Sequence, residues 1–203
     1  MIGFLESLLM IGIRRTAWIC WLSLLALDVR TAAAQVNQEY DLKAAYLYRF
    51  TQYVEWPKDA AGADNTFVIG VVGQDPFPSQ LDRIAKAKKV QNKQIIIRRF
   101  ASAKDYQPCH ILFVSAFAAK DSDEKSAEQR LSTLLPKTKG TPVLLVSDAP
   151  GLASKGAVIN FFVDQQENRI KLEVNREAEK QAGLRISSEL LELGVVKIVG
   201  TTR

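Results

Sequence analysis

Histidine and cysteine are scarce in this chain: His110 is its one imidazole, and Cys20 and Cys109 are its two thiols. That poverty excludes whole classes of chemistry. No zinc-ligand spacing can be assembled from one histidine and two distant cysteines. The Cys109-His110 pair invites a nucleophile reading, but neighbours on a strand point to opposite faces and are poor partners for a shared proton. The glycines of GVVGQDP do not make GxGxxG, and no strand is followed by GxxxxGK[ST]. The sequence therefore predicts a non-enzyme with no metal and no cofactor. Concentrated charge is lacking too. The only local cluster is Lys86, Lys88, Lys89 and Lys93, read as a solvated helix end and turn, so no nucleic-acid partner is expected.

Long apolar runs are also missing. The longest near the start, AWICWLSLLAL from Ala17 to Leu27, falls well short of the roughly 20 residues a spanning helix needs. It follows Arg14-Arg15 and precedes Ala32-Ala-Ala34, a small-x-small pattern that signal peptidase accepts. The expectation is a signal peptide over residues 1–34, with Met1 or Met10 as the start, and a single domain over 35–203 in the periplasm. The competing reading is an N-terminal membrane anchor. Without residues 1–34 the chain carries 24 Lys+Arg against 20 Asp+Glu, a net +4. Cys109 is then the one thiol, so an intrachain disulfide is excluded. It is buried, reactive, or paired between chains.

What the sequence does have is rhythm. A helical period runs from Tyr40 to Val54, with Leu42, Tyr46, Phe50 and Tyr53 on one face and Pro57 beyond its end. Strands are predicted over Phe67–Gly73, Gln94–Phe100, His110–Ser115 and Pro142–Ser147, and helices over Pro78–Ala87 and Asp121–Leu135. After Asp148-Ala-Pro-Gly151 comes a β-hairpin, Ala157–Asp164 and Arg169–Val174, turning through Gln165–Asn168. Helical stretches at Arg176–Gln181 and Ser187–Leu193 flank Gly183, and an edge strand fits Val195–Val199. The fold class is α/β: a mixed, mainly parallel sheet with helices on both faces and a C-terminal β-hairpin plus helix.

Six of the eighteen residues from Tyr40 to Pro57 are aromatic, against 8% in the whole chain. A base-stacking platform interleaves rings with Lys and Arg, and a membrane-surface helix carries a cationic face. Only Lys43 and Arg49 are present. The rings are read as core packing, with Trp56 closing the helix end and Tyr48 left over for a partner surface.

The segments KAAYLYRFTQYVEWP, FVIGVVGQDPF, PCHILFVS, VLLVSDAPGLASKGAVINFF and KLEVNREAEKQAGLRISSELLEL, in that order from about Tyr40 to Val196, closely resemble the YfiR family of exported bacterial proteins. The resemblance implies a non-enzymatic α/β domain, often dimeric, responsive to redox state or small ligands. It implies a repressor that binds the periplasmic domain of an inner-membrane diguanylate cyclase and lowers cyclic-di-GMP. Cys109 stands where the family has a cysteine-histidine pair and is the redox candidate, but no second cysteine remains to meet it. Relatives beside receptors or sensor kinases leave an alternative: a small-ligand-binding accessory protein of a sensor kinase or outer-membrane uptake receptor.

For ligand or partner binding the candidates are Arg185, Glu173, Asn175, Ser187 and Asp148. Arg185, in Gly-Leu-Arg-Ile, offers a fork for a carboxylate or phosphate, or a salt bridge to Glu173 or Glu189. Asn175 and Ser187 serve equally as helix N-caps, and Asp148 as the first residue of a turn.

Overall fold

The structure, a computed structural model, describes residues 38–57, 65–120 and 122–200. The chain divides into two units, 1–40 and 41–203; the fold described below is that of the second. The expected signal peptide lies outside the described residues, as does Asp121.

Helix α1 covers 38–53. Its buried stripe runs through Ala44, Leu47, Phe50 and, just beyond it, Val54. The aromatic period had placed Leu42 on the core face, but Leu42 is 46% exposed. The stripe is turned by about one residue, which leaves Tyr46 and Tyr53 half-buried at its edge. Phe50 stacks on Phe161 at 5.9 Å, which fixes α1 to the sheet.

The main sheet has eight strands: β2 (Thr66–Val72), β3 (Lys89–Val90), β4 (Lys93–Phe100), β5 (Ile111–Val114), β6 (Leu144–Ser147), β7 (Ile159–Asp164), β8 (Arg169–Asn175) and β10 (Val196–Val199). Their order is β10-β8-β7-β6-β5-β2-β4-β3. The neighbours from β4 to β7 pair in parallel, β7 and β8 form the antiparallel hairpin, and β10 joins β8 in parallel. The central strands β2, β5 and β6 are buried almost throughout, as their unbroken apolar runs require.

Helices cover both faces. α2 (Gln80–Ala87) packs beside α1, while α3 (Ala127–Thr138) and α4 (Arg176–Gln181) flank a groove floored by Leu145 and Val158. α3 starts later than the apolar period suggested. Ser126 caps it, accepting from Gln129 N at 3.1 Å while Gln129 Oε1 accepts from Ser126 N. Pro136 sits inside the last turns of α3 and does not end it.

A second, two-stranded sheet had no expectation behind it. β1 (Val54–Glu55) pairs antiparallel with β9 (Arg185–Ile186). The segment before Pro57 is therefore a strand, not only a helix end. β9 lies in the gap between the two expected helical stretches, which form α4 and the shorter α5 (Ser188–Leu191).

Candidate functional site

In open parallel sheets, ligands settle beyond the carboxyl ends of the strands, at the point where strand order reverses. Here that point lies between β2 and β5, since the chain passes from β2 outward to β4 and then back across to β5. Gly73, Ser115 and Asp148 follow the three central strands at this end. Four side chains converge on it from different elements.

Lys43 of α1 donates to Asp148 Oδ2 at 2.9 Å, with side chains only 5% and 1% exposed. Asp148 Oδ1 accepts from Ala116 N at 2.8 Å. Arg130 of α3, fully buried, donates to Ser115 O at 2.6 Å and Glu124 O at 2.7 Å. Glu124 Oε2 in turn accepts from Ala103 N and Ser102 Oγ. Burial pulls the Arg130 guanidinium down, and the charges of Glu124 and Asp148 oppose that pull. Burial alone would raise the Glu124 carboxyl. Hydrogen bonds from Ala103, Thr133 and Ser102, with the Arg130 charge, outweigh it and hold the group below its ordinary value.

This is two cations and two anions, neutral as a set, filling the crevice with the protein's own atoms. Gly73 confirms how little room remains. Its φ is +96°, and a Cβ there would meet Phe117 O at 2.6 Å and Arg130 Nε at 3.1 Å. Gln74 N donates to the same Phe117 carbonyl at 3.0 Å. The Lys43–Asp148 ion pair ties α1 to the loop after β6, and removing one partner of a buried pair costs about 3–5 kcal/mol.

The expected site residues therefore separate. Asp148 belongs to the charge set. Cys109 is buried beneath Gly70, and burial pushes its thiol up to about 12 against the Gly70 N–H and the Arg98 charge. Thiolate is scarce at neutral pH in such a setting. His110 stacks on Phe67 at 4.3 Å with Nδ1 accepting from Val68 N; it and Cys109 precede β5 rather than lying on the strand expected to hold His110. Asn175 caps α4, accepting from Ala178 N at 3.0 Å and donating to Ala153 O at 2.7 Å. Ser187 caps α5 through Leu190 N. Glu173 lies in a row across three strands, 3.5 Å from both Asn160 and Lys197.

Arg185 alone stands in the open. Its side chain is 82% exposed and 4.0 Å from Glu55, its register partner across the ribbon, rather than from Glu173 or Glu189. It lines a depression of about 430 Å³ with Arg176, Lys180 and Leu184. Glu179 underpins that depression, pairing with Arg176 at 2.7 Å and accepting from Ile186 N at 2.7 Å. The sequence signal for Arg130 was visible but unread: it falls on the apolar stripe of Ala127, Leu131 and Leu134, where a solvated arginine has no place. Among the described residues, no group of three or more His, Cys, Asp or Glu could hold a metal ion.

Residues 40–195 match the model of the YfiR/HmsC-like family. The chain belongs to that family. YfiR/HmsC-like proteins are, as a family, periplasmic regulators rather than enzymes, and they work with an inner-membrane signalling protein. No curated protein matches the chain. Among the described residues, no helix is long and apolar enough to cross a membrane.

Proposed function

We propose that this YfiR/HmsC-like chain is exported to the periplasm and represses an inner-membrane diguanylate cyclase, or a similar signalling enzyme, by binding its periplasmic domain. The observation that carries the reading is the filled crevice. Where a sheet of this topology would take a substrate, Lys43 pairs with Asp148 and Arg130 donates to the Ser115 and Glu124 carbonyls, while Arg130 Nε and Glu124 Oε1 stay buried without a hydrogen-bond partner. Function is left to the outer surface, and repression follows from equilibrium binding: the partner is inactive while held. Measuring cyclic-di-GMP in cells with the gene, without it, and with residues 1–34 removed tests this. The expected result is a rise on deletion that the exported form alone reverses. Unchanged levels, or full rescue by the form lacking residues 1–34, would refute it.

The depression beside Arg185 supports a second reading, a small-ligand-binding accessory protein for a sensor kinase or outer-membrane uptake receptor. Its volume suits a small molecule, and Lys180 and Arg185 supply charge for an anionic group, with Arg176 paired to Glu179 and Glu177 also on the lining. Arg185→Ala separates the readings: a ligand protein loses small-anion affinity by calorimetry, whereas a pure repressor shows none to lose.

A further inference from the structure

The outer side of α1 and α2 carries a groove that none of the described residues fills. It holds about 350 Å³ and is lined by Ala44 and Ala45 of α1 and by Ile84 and Ala87 of α2. Small side chains on facing helices leave backbone-close space between two ridges. Leu42, nearly half exposed, lies three residues from Ala45 on the same helix.

The two ends of the groove differ in charge. Near its start Asp41 and Arg83 pair across it at 3.1 Å and cancel. At the other end Ala87 and Lys88 also line a wider depression shared with Lys86 and Lys89, with Lys93 at the start of the adjoining β4. The carboxylate of α2 that could have offset these lysines, Asp82, is taken by Arg99 at 2.7 Å. Among the described residues no carboxylate forms an ion pair with Lys86, Lys88, Lys89 or Lys93. The groove thus runs from neutral to strongly positive.

We infer that this groove receives an amphipathic helix of the signalling partner, whose apolar stripe lies along Ala44, Ala45, Ile84 and Ala87 and whose acidic end meets the lysines. Shape decides against a bilayer. Membrane-docking surfaces push apolar side chains outward into the headgroup layer, whereas the apolar atoms here line a hollow. A helix laid in a groove, anchored at i, i+3 and i+4 positions, matches a hollow between parallel ridges. Charge complementarity sets its direction and speeds its arrival. The inference rests on the regulatory reading above and names the surface through which it acts.

The test places a benzophenone side chain at position 45 of the full chain in the producing cell, and at position 171 on the β7–β8 hairpin as control. Illumination is expected to give an adduct from 45 and not from 171. Its sequenced partner peptide should carry an apolar i, i+3, i+4 stripe followed by at least two carboxylates. The double variant Lys88→Glu/Lys89→Glu should lower the yield at least five-fold while melting at the parent temperature. An adduct to phospholipid, to a second copy of this chain, or to a peptide without the acidic end would overturn the assignment. So would the lack of any adduct, or a yield indifferent to the charge reversal. Because the readout is an adduct and not cyclic-di-GMP, the groove can fail while repression stands, and repression can fail while the adduct forms.

Discussion

Replacing Lys43 by methionine keeps the length of the side chain and removes its charge, leaving the Asp148 carboxylate buried without its ion-pair partner while Ala116 N–H still donates to it. Loss of one member of a buried pair costs about 3–5 kcal/mol. Arg130 still offsets part of the Asp148 charge, which places the expectation near the lower end, about 3 kcal/mol. For a domain of this size each kcal/mol shifts the melting point by about 2–4 °C, so a fall of roughly 6–12 °C should be seen by circular dichroism. The double variant Lys43→Met/Asp148→Leu should recover most of the loss, because an apolar pair of similar volume replaces a buried ion pair at little cost. Urea titrations of the four proteins give the coupling directly. A cost below about 1 kcal/mol for Lys43→Met, the worth of an exposed pair, would refute the claim that the crevice is held shut by its charges. Strictly additive single costs would do the same.

Acid should unfold the protein partly through Glu124. Its folded-state value lies below its unfolded one, so its contribution is complete above the unfolded value, about 4.3, and is lost as pH falls through the folded value. Glu124→Gln should lower stability at pH 7 and flatten the decline below pH 4.5; an unaltered acid slope would show that other carboxylates govern it. Cys109, with its thiol raised to about 12 and no exposed surface, should resist iodoacetamide at pH 7.5 and react fully in urea. Native alkylation at the rate of a free thiol would contradict the burial.

The parallel core was readable because β2, β5 and β6 are continuous apolar runs, and the hairpin because Gln165–Asn168 is a polar turn between two alternating segments. The cap roles of Asn175 and Ser187 were likewise open to view, since each precedes a helical stretch with a side chain suited to the first free N–H groups. Helix α1 was found, yet its inward face was misplaced at Leu42. Rings occur on several sides of that helix, so periodicity alone did not say which of them reach water. The β1–β9 ribbon was invisible because each strand is two residues long and its pairing spans nearly the whole domain. The charge set was hidden for a similar reason: Lys43, Glu124, Arg130 and Asp148 come from four separate segments, and only tertiary structure brings them together.

That ribbon also sets an order of events. Val54 and Ile186 must meet for it to form, and Ser187 N reaches back to Tyr53 O at 2.8 Å beside them. As the chain folds from its amino end, α1 is in place long before β9 arrives. The seam can close only once residues 185–187 are available, so the end of α1 must wait for a contact about 130 residues away in the chain, a long loop closure that comes late in folding.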